Sequence, residues 1–245
     1  NSTSSASEYR PKNFNDMIGQ DAIVKTLNNA IKNDNIPQAL LFCGPRGVGK
    51  TSCARILAKT INNLEDDFEY NIFELDAASN NSVEDIRNIT DQIRIPPQTG
   101  RYKVYIIDEV HMLSNQAFNA FLKSLEEPPE HVVFILATTE KNKILPTILS
   151  RCQIYDFKKV DNESITKLLS KICKEKKVKY EDGSLSLIAE RSDGSIRDSL
   201  SIFDRLVSFT DSNLTISEVT LNLNVLDFNT YFKISELINK KDIPG

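Results

Sequence analysis

Gly44-Pro45-Arg46-Gly47-Val48-Gly49-Lys50-Thr51 has the form of a glycine, any four residues, then Gly-Lys-Thr. Glycines let successive backbone N–H groups curl around a polyphosphate where a Cβ would clash. A helix starting at the end of such a turn adds its unpaired N–H groups and the positive end of its dipole. A lysine at position 50 can then reach β- and γ-phosphates, and a Thr51 hydroxyl can ligate Mg²⁺. The bland alternative is a solvated glycine turn, and the flanks decide between the two. Ala39 to Cys43 is an apolar run that reads as a buried strand; from Ser52 to Ile61, Cys53, Ile56, Leu57 and Ile61 recur at helical spacing. Strand, glycine loop and helix is the setting a nucleotide site of this kind needs. Gly44, Gly47, Val48, Gly49, Lys50, Thr51 and Ser52 are therefore the expected nucleotide-binding residues.

A second chemical signal is the carboxylate pair Asp108-Glu109, placed directly after the apolar run Val104 to Ile107. Adjacent carboxylates after buried residues are costly unless they serve a cation or a reaction. In open α/β sheets ligands gather at the carboxyl ends of strands. Asp108 is expected to hold Mg²⁺ together with Thr51, and Glu109 to orient and polarise an attacking water. The competing reading is an acidic pair favoured by the dipole of the following helix. Thr138 and Thr139 end the apolar run Val132 to Leu136, where a hydroxyl could hold the lytic water or sense the γ-phosphate. Threonine is common in strands regardless, which makes that signal weak alone. Arg197 falls in the first turn of a helix, an unfavourable place for a cation unless a phosphate is near. Pairing with Asp193 or Asp198 would explain it equally well.

These residues need elements to carry them. Asp21 reads as the cap of a helix through Lys32, with Ala22, Ile23, Leu27, Ala30 and Ile31 apolar. Further strands are expected over Tyr70–Leu75, Val104–Ile107, Val132–Leu136 and Gln153–Phe157, and Ser82 with Asp85 has capping-box spacing for a helix before Pro96. A loop and a short helix are expected over 141–149. Strands alternating with helices specify an α/β fold with a parallel, doubly wound sheet. From Lys158 the strand signal stops. Helices are expected over 161–176, over 182–190, and from the Ser195/Asp198 capping pair onward, forming a small all-α domain. Shorter helices are expected over 215–222 and 227–240, the last with little to bury against. The domain reading is therefore a disordered lead over 1–7, a P-loop domain over 8–157, a helical lid over 158–210, and a linker opening a further helical domain over 211–245.

The chain has 245 residues and a formal charge of −4, which does not suit a free-standing basic nucleic-acid binder. No apolar run is long enough to span a membrane. The Ser-rich start lacks the apolar core of a signal peptide, and four widely spaced cysteines make neither a disulfide framework nor a zinc pair. A reducing cytoplasm fits this usage. The lysines between 158 and 179 read as a solvated helix face ahead of a DNA or partner contact.

Taken together, the motifs resemble the clamp-loader group of AAA+ ATPases. Tyr9-Arg10-Pro11, Phe14 to Gln20, Leu75 to Ser79, Ile107 to Ser114, Phe118 to Pro129, Leu136 to Thr139 and Ile148 to Cys152 are similar to the gamma/tau family of bacterial DNA polymerase III. The resemblance implies an AAA+ P-loop NTPase with a helical lid, using ATP and Mg²⁺. It implies Walker A at Gly44 to Thr51, Walker B at Asp108-Glu109, and a first sensor at Thr139 ahead of Thr138. It implies that Arg151 is an arginine finger reaching a neighbouring subunit's ATP, and that Arg197 is the second sensor. Tyr9, Arg10, Pro11 and Ile18 would help line the adenine pocket. The implied partners are other clamp-loader subunits in a hetero-pentamer, the sliding clamp and primer-template DNA.

Two departures qualify the resemblance. The family's four-cysteine zinc module would follow the first helix of the ATPase domain, yet Asn62 to Asn71 contains no cysteine, so no zinc is expected. The family continues into a helical collar that builds the pentamer, and this chain reads as ending at its start, so it is expected to be monomeric by itself. The leading functional reading is an ATP-hydrolysing clamp-loader subunit that loads the sliding clamp on primed DNA. A helicase or branch-migration motor is the alternative, because Asp108-Glu109-Val110-His111 has an Asp-Glu-x-His form, but it would need a second nucleotide-binding-like domain, and the residues after Phe157 read as helices instead. A non-hydrolysing scaffold is disfavoured by the intact loop and paired carboxylates.

Overall fold

The computed structural model describes residues 3–63 and 71–225. The chain divides into two units, 10–159 and the combination of 1–9 with 160–245. The larger unit is a five-stranded sheet in the order β2-β3-β4-β1-β5, made of β1 (Ala39–Cys43), β2 (Ile72–Asp76), β3 (Lys103–Asp108), β4 (Val132–Thr138) and β5 (Gln153–Asp156). Every pairing is parallel. Central strands β1 and β4 are buried along their whole length, which is why they are continuous apolar runs and not alternating ones.

Successive side chains of each strand point to opposite faces, so one run feeds two cores. Leu40, Phe42, Val104, Ile106, Val133 and Ile135 pack with residues of the helices Asp21–Lys32 and Lys50–Ile61. Leu41, Cys43, Tyr105, Ile107, Phe134 and Leu136 pack on the other side with residues of Val83–Ile93 and Asn115–Glu126. In chain order the helices are α1 (Ser5–Glu8), α2 (Asp21–Lys32), α3 (Lys50–Ile61), α4 (Val83–Ile93), α5 (Asn115–Glu126), α6 (Pro146–Leu149), α7 (Asn162–Lys176), α8 (Ser184–Arg191) and α9 (Ile196–Phe209).

The register places the functional strand ends together. Cys43 of β1 lies opposite Thr138 of β4, and Ile107 of β3 lies opposite Leu136 of β4. The glycine loop therefore leaves the sheet beside the tips of β3 and β4, at the carboxyl edge where open sheets bind ligands.

The second unit packs α7, α8 and α9 around Ile165, Leu169, Ile172, Leu185, Ile188, Leu200, Phe203 and Leu206. Residues 216–225 are also helical, and Val219 and Leu223 are buried. A two-residue parallel pair, β6 (Lys179–Tyr180) with β7 (Asn213–Leu214), adds a strand contact that the helical pattern did not announce. Two-residue strands are too short to show a period.

Several boundaries differ from expectation. Ser5–Glu8 is a capped turn of helix, not a disordered lead, and the Ser5 amide donates to Asp204 Oδ2 across 2.9 Å. The Ser5 hydroxyl also bonds Asp204 Oδ1. Asp21 is the first helical residue and not the cap; Gln20 holds the cap position without a side-chain cap bond. Ser82 and Asp85 make both bonds of a capping box. Ser195 makes its half, with its side chain accepting from the Asp198 amide. The helix expected over 227–240, the collar it would open, and positions 64–70 of the stretch that bears on zinc lie outside the described residues.

Candidate functional site: the carboxyl edge of the sheet

Gly49, with φ of 107°, brings the chain out of the loop and directly into α3. A Cβ there would stand 3.0 Å from Met17 Cε. Gly44 is more constrained: at φ of 148° an added Cβ would meet the Phe157 carbonyl oxygen at 2.6 Å. The Gly44 amide donates to Thr138 O at 3.2 Å. The loop is thus clamped on one side by residues 17–20 and on the other by the exit of β5. Gln20, 4 % exposed, makes that clamp explicit. Its amide nitrogen donates to Lys158 O at 2.7 Å and Val48 O at 3.4 Å, and its amide oxygen accepts from the Lys158 N–H at 3.2 Å.

Lys50 is nearly buried, and its ammonium donates to Gly44 O and Pro45 O at 2.5 Å each. It therefore stands over the loop it follows. Thr51 Oγ1 donates to Asp108 Oδ2 at 3.1 Å. Thr139 Oγ1 donates to Glu109 Oε2 at the same distance. The hydroxyl and carboxylate residues singled out from sequence thus meet in two pairs at neighbouring strand tips. Ser52 is half-buried in the first turn of α3.

Glu109 adopts a left-handed backbone, φ 51° and ψ 46°, and starts the 3-10 turn Val110–Met112. A non-glycine residue there costs roughly 1–2 kcal/mol. Such strain gathers where a side chain must be aimed. The turn carries His111, whose side chain is 6 % exposed and whose Nε2 lies 3.4 Å from Glu109 Oε2. His111 Nδ1 and Thr138 Oγ1 are hydrogen-bonded at 2.8 Å, and Thr138 Oγ1 also accepts the Glu140 N–H at 2.9 Å. Arg55, one turn beyond Thr51, grips Glu74 with two bonds of 2.5 and 2.9 Å. That bond, with the charges of Glu74 and Asp108, raises the Arg55 pKa against the opposing effect of burial. Burial pushes the thiol of Cys43, the last residue before the loop, up to about 11, so it is a small apolar side chain there and no nucleophile.

Other expected site residues have these surroundings within their own units. Arg151 is exposed beyond α6, with Nη2 3.4 Å from Glu126 Oε1. Pro11 and Ile18 are half-buried and Arg10 is exposed on the sheet unit. Tyr9 belongs to the helical unit, where its hydroxyl donates to Glu175 Oε2 at 2.8 Å and Lys176 Nζ lies 5.5 Å from its ring centroid. Burial, then Glu175, raises the Tyr9 pKa to about 12. Arg197 is exposed in the first turn of α9 and makes no ion pair among the described residues, so neither Asp193 nor Asp198 accounts for it. Gln20, His111 and Arg55 were not singled out as site residues from sequence.

The donor set fits a magnesium nucleotide. Thr51 and Asp108 offer one hydroxyl and one carboxylate, which suits a cation that takes its remaining oxygens from phosphate and water. Among the described residues no group of three or more His, Cys, Asp or Glu could hold a metal by itself. The first turn of α3 has no acidic residue to oppose an anion.

Comparison with known proteins agrees with this arrangement. A model of the DNA polymerase III delta subunit family matches residues 19–72 and 69–161, and one of the DNA polymerase III clamp loader subunit ATPase lid domain matches 164–212. DNA polymerase III subunit gamma of Buchnera aphidicola subsp. Baizongia pistaciae is 40 % identical over 96 % of this chain and 68 % of its own length. The chain belongs to the DNA polymerase III gamma/tau family. Subunit tau of Bacillus subtilis is 42 % identical over 96 % of this chain, and that of Escherichia coli 42 % over 91 %. The chain spans 45 % and 37 % of those two relatives. Among solved structures, the Thermotoga maritima RuvB Holliday junction branch migration motor superposes with a TM-score of 0.73. That match covers 89 % of this chain and 73 % of the motor at 22 % identity. At that identity the likeness is one of fold: an α/β P-loop ATPase core of the AAA+ type followed by a lid. No helix among the described residues of this gamma/tau chain is long and apolar enough to cross a membrane.

Proposed function

We propose that this gamma/tau-family chain is an ATP-hydrolysing subunit of a clamp loader, using ATP binding and hydrolysis to load a sliding clamp on primed DNA. The observation that carries the reading is the pairing of Thr51 with Asp108 and of Thr139 with Glu109 beside the glycine loop. These are the groups a magnesium triphosphate and an attacking water require, gathered at adjacent strand tips.

Bound Mg²⁺ would neutralise phosphate charge and fix the triphosphate's geometry. The protein's own part divides among named residues. The loop amides and the first turn of α3 bind phosphate oxygens, and Lys50 moves from the Gly44 and Pro45 carbonyls to the phosphates. Thr51 and Asp108 orient the cation. Glu109 orients and polarises the water, and Thr139 holds that carboxylate and reads the γ-phosphate. Pro11 and Ile18, with Arg10 and Tyr9, serve the adenine side. Arg197 acts as a second sensor from the lid, and Arg151 reaches a neighbouring subunit's nucleotide. Guanidinium groups supplied from separate bodies make turnover depend on assembly. Companion loader subunits, the clamp and primer-template DNA are the proposed partners, and the cytoplasm is the proposed location.

The deciding experiment measures ATP turnover of the full-length protein with and without companion subunits, clamp and primed DNA, beside Lys50→Ala. Strong stimulation by clamp and primed DNA, lost in Lys50→Ala, is expected. Clamp-independent strand separation would instead favour a nucleic-acid motor. Nucleotide binding without turnover in the full assembly would favour a scaffold.

A further inference from the structure

Glu109 Oε2 has two neighbours, the Thr139 hydroxyl at 3.1 Å and His111 Nε2 at 3.4 Å. Among the described residues no side chain or main-chain group bonds its other carboxylate oxygen. One oxygen is thus engaged by protein and the other left for water. Both partners of Oε2 lead back to the end of β4: Thr139 directly, and His111 through Thr138.

Thr138 Oγ1 accepts the Glu140 N–H, and the His111 ring supplies the other polar atom near it. A hydroxyl has one proton to give. Its oxygen has two lone pairs and could accept from both neighbours, but only donation to His111 Nδ1 gives the proton of this fully buried side chain a partner among the described residues. In that arrangement Nδ1 accepts, and a neutral ring carries its proton on Nε2, the atom beside Glu109. The Glu140 amide, the Thr138 hydroxyl and the His111 ring then form one ordered line whose far nitrogen stands 3.4 Å from the carboxylate.

We propose that His111 is a positioning residue for Glu109. It is held in the Nε2–H tautomer by Thr138, and it fixes which carboxylate oxygen meets the attacking water. The proposal rests on the ATPase reading above and adds a residue to it. The imidazole contacts neither water nor phosphate in this role and acts only through Glu109. Its position also accounts for the left-handed backbone of Glu109 itself: the reversal at φ 51° leads into the 3-10 turn that sets position 111 beside Thr138 at the end of β4.

Two measurements test it on the full-length protein. The first needs no nucleotide. Imidazole ¹⁵N shifts in mildly alkaline solution, assigned by the signal lost in His111→Ala, should show an unprotonated Nδ1 and a protonated Nε2. The isosteric Thr138→Val should populate the other tautomer. An Nδ1-protonated ring in the parent protein overturns the proposal. The second separates kcat from nucleotide affinity in the assembled complex. His111→Ala should lower kcat by about tenfold to a hundredfold, the scale of a misplaced reacting group, with nucleotide affinity unchanged. His111→Gln, which keeps a donor near Glu109, should recover most of the loss. Equal kcat in His111→Ala, a higher kcat, or no recovery with glutamine overturns the inference while wild-type turnover keeps the ATPase reading intact. Absence of turnover in the wild-type complex overturns both.

Discussion

Thr51 Oγ1 and Asp108 Oδ2 stand 3.1 Å apart, so the first turn of α3 and the tip of β3 are joined at the point where a cation would sit. Two oxygens this close can serve one small ion together. Asp108→Asn keeps the shape and removes the charge. It is expected to leave nucleotide binding measurable but to blunt its Mg²⁺ dependence and lower turnover by roughly a hundredfold, since metal-borne charge stabilisation is worth several kcal/mol. A Mg²⁺ titration of nucleotide binding and turnover checks this; an unchanged Mg²⁺ profile would remove Asp108 from the site.

Gly44 is held by backbone that cannot retreat. An added Cβ meets the Phe157 carbonyl oxygen at 2.6 Å, and φ is 148°. Gly183→Ala is the natural control, because there φ is 92° but the nearest atom, Ile216 Cδ1, lies at 3.6 Å. Gly183→Ala should cost roughly 1–2 kcal/mol from conformation alone. Gly44→Ala should cost more, by about 1–3 kcal/mol of steric displacement. Urea denaturation of both variants gives the difference, and equal midpoints would contradict the steric argument.

How far these features could be read beforehand depended on the range of the interaction that sets them. Val104 to Ile107 and Val132 to Leu136 announced themselves because a strand covered on both faces must be apolar throughout. The capping box of Ser82 and Asp85 was legible because both partners lie within one turn. The glycine loop and the acidic pair were legible because their chemistry restricts residue type. Gln20 was not, since its partner Lys158 is 138 positions away and no local pattern marks it. His111 was missed for the same reason: its bond to Thr138 spans 27 positions and exists only because β3 and β4 are neighbours. Ser5 to Ser7 read as part of a disordered lead because the composition is polar, whereas Ser5 is held by Asp204.

Asp161 gives the helical unit a defined pH response. The Ser164 amide, then its hydroxyl, hold the Asp161 carboxyl below the usual carboxylate range while it caps α7. A depressed folded value means that the stabilisation is present above the unfolded value, about 3.9, and is lost as pH falls through the folded value. Asp161→Asn preserves an acceptor at the cap without a titrating group. Thermal melts across acidic pH should therefore show a shallower decline for Asp161→Asn than for the parent protein. Parallel declines would assign the response to other carboxyls.

Gln20 binds two stretches of main chain, Val48 in the glycine loop and Lys158 just past β5, with a side chain that is 4 % exposed. Removing a buried amide strands the groups it satisfied, at about 1–3 kcal/mol. Gln20→Ala should lower the urea midpoint by that amount. Gln20→Glu, isosteric but unable to donate when ionised, should destabilise similarly because it loses the bonds to Val48 O and Lys158 O. A stable Gln20→Glu would show that the single bond from the Lys158 N–H is sufficient.

Arg151 separates a role within this chain from a role toward a neighbour. Its contact with Glu126 is a 3.4 Å pair between side chains 41 % and 50 % exposed, so it contributes at most about 1 kcal/mol. Arg151→Ala should therefore leave the stability and the nucleotide affinity of the chain itself nearly unchanged. In an assembled loader the same variant should lower ATP turnover by about a thousandfold at the affected interface, the lower end of what an arginine supplied across subunits contributes. Glu126→Gln releases the guanidinium from its intramolecular partner and should not lower turnover. The check is single-turnover hydrolysis in mixed complexes, with Arg151→Ala in one subunit and Lys50→Ala blocking the other sites. Loss of turnover only at the site facing the altered subunit supports a finger acting in trans. Loss at the altered subunit's own site would place Arg151 in its own nucleotide pocket, and no loss anywhere would leave it a surface residue.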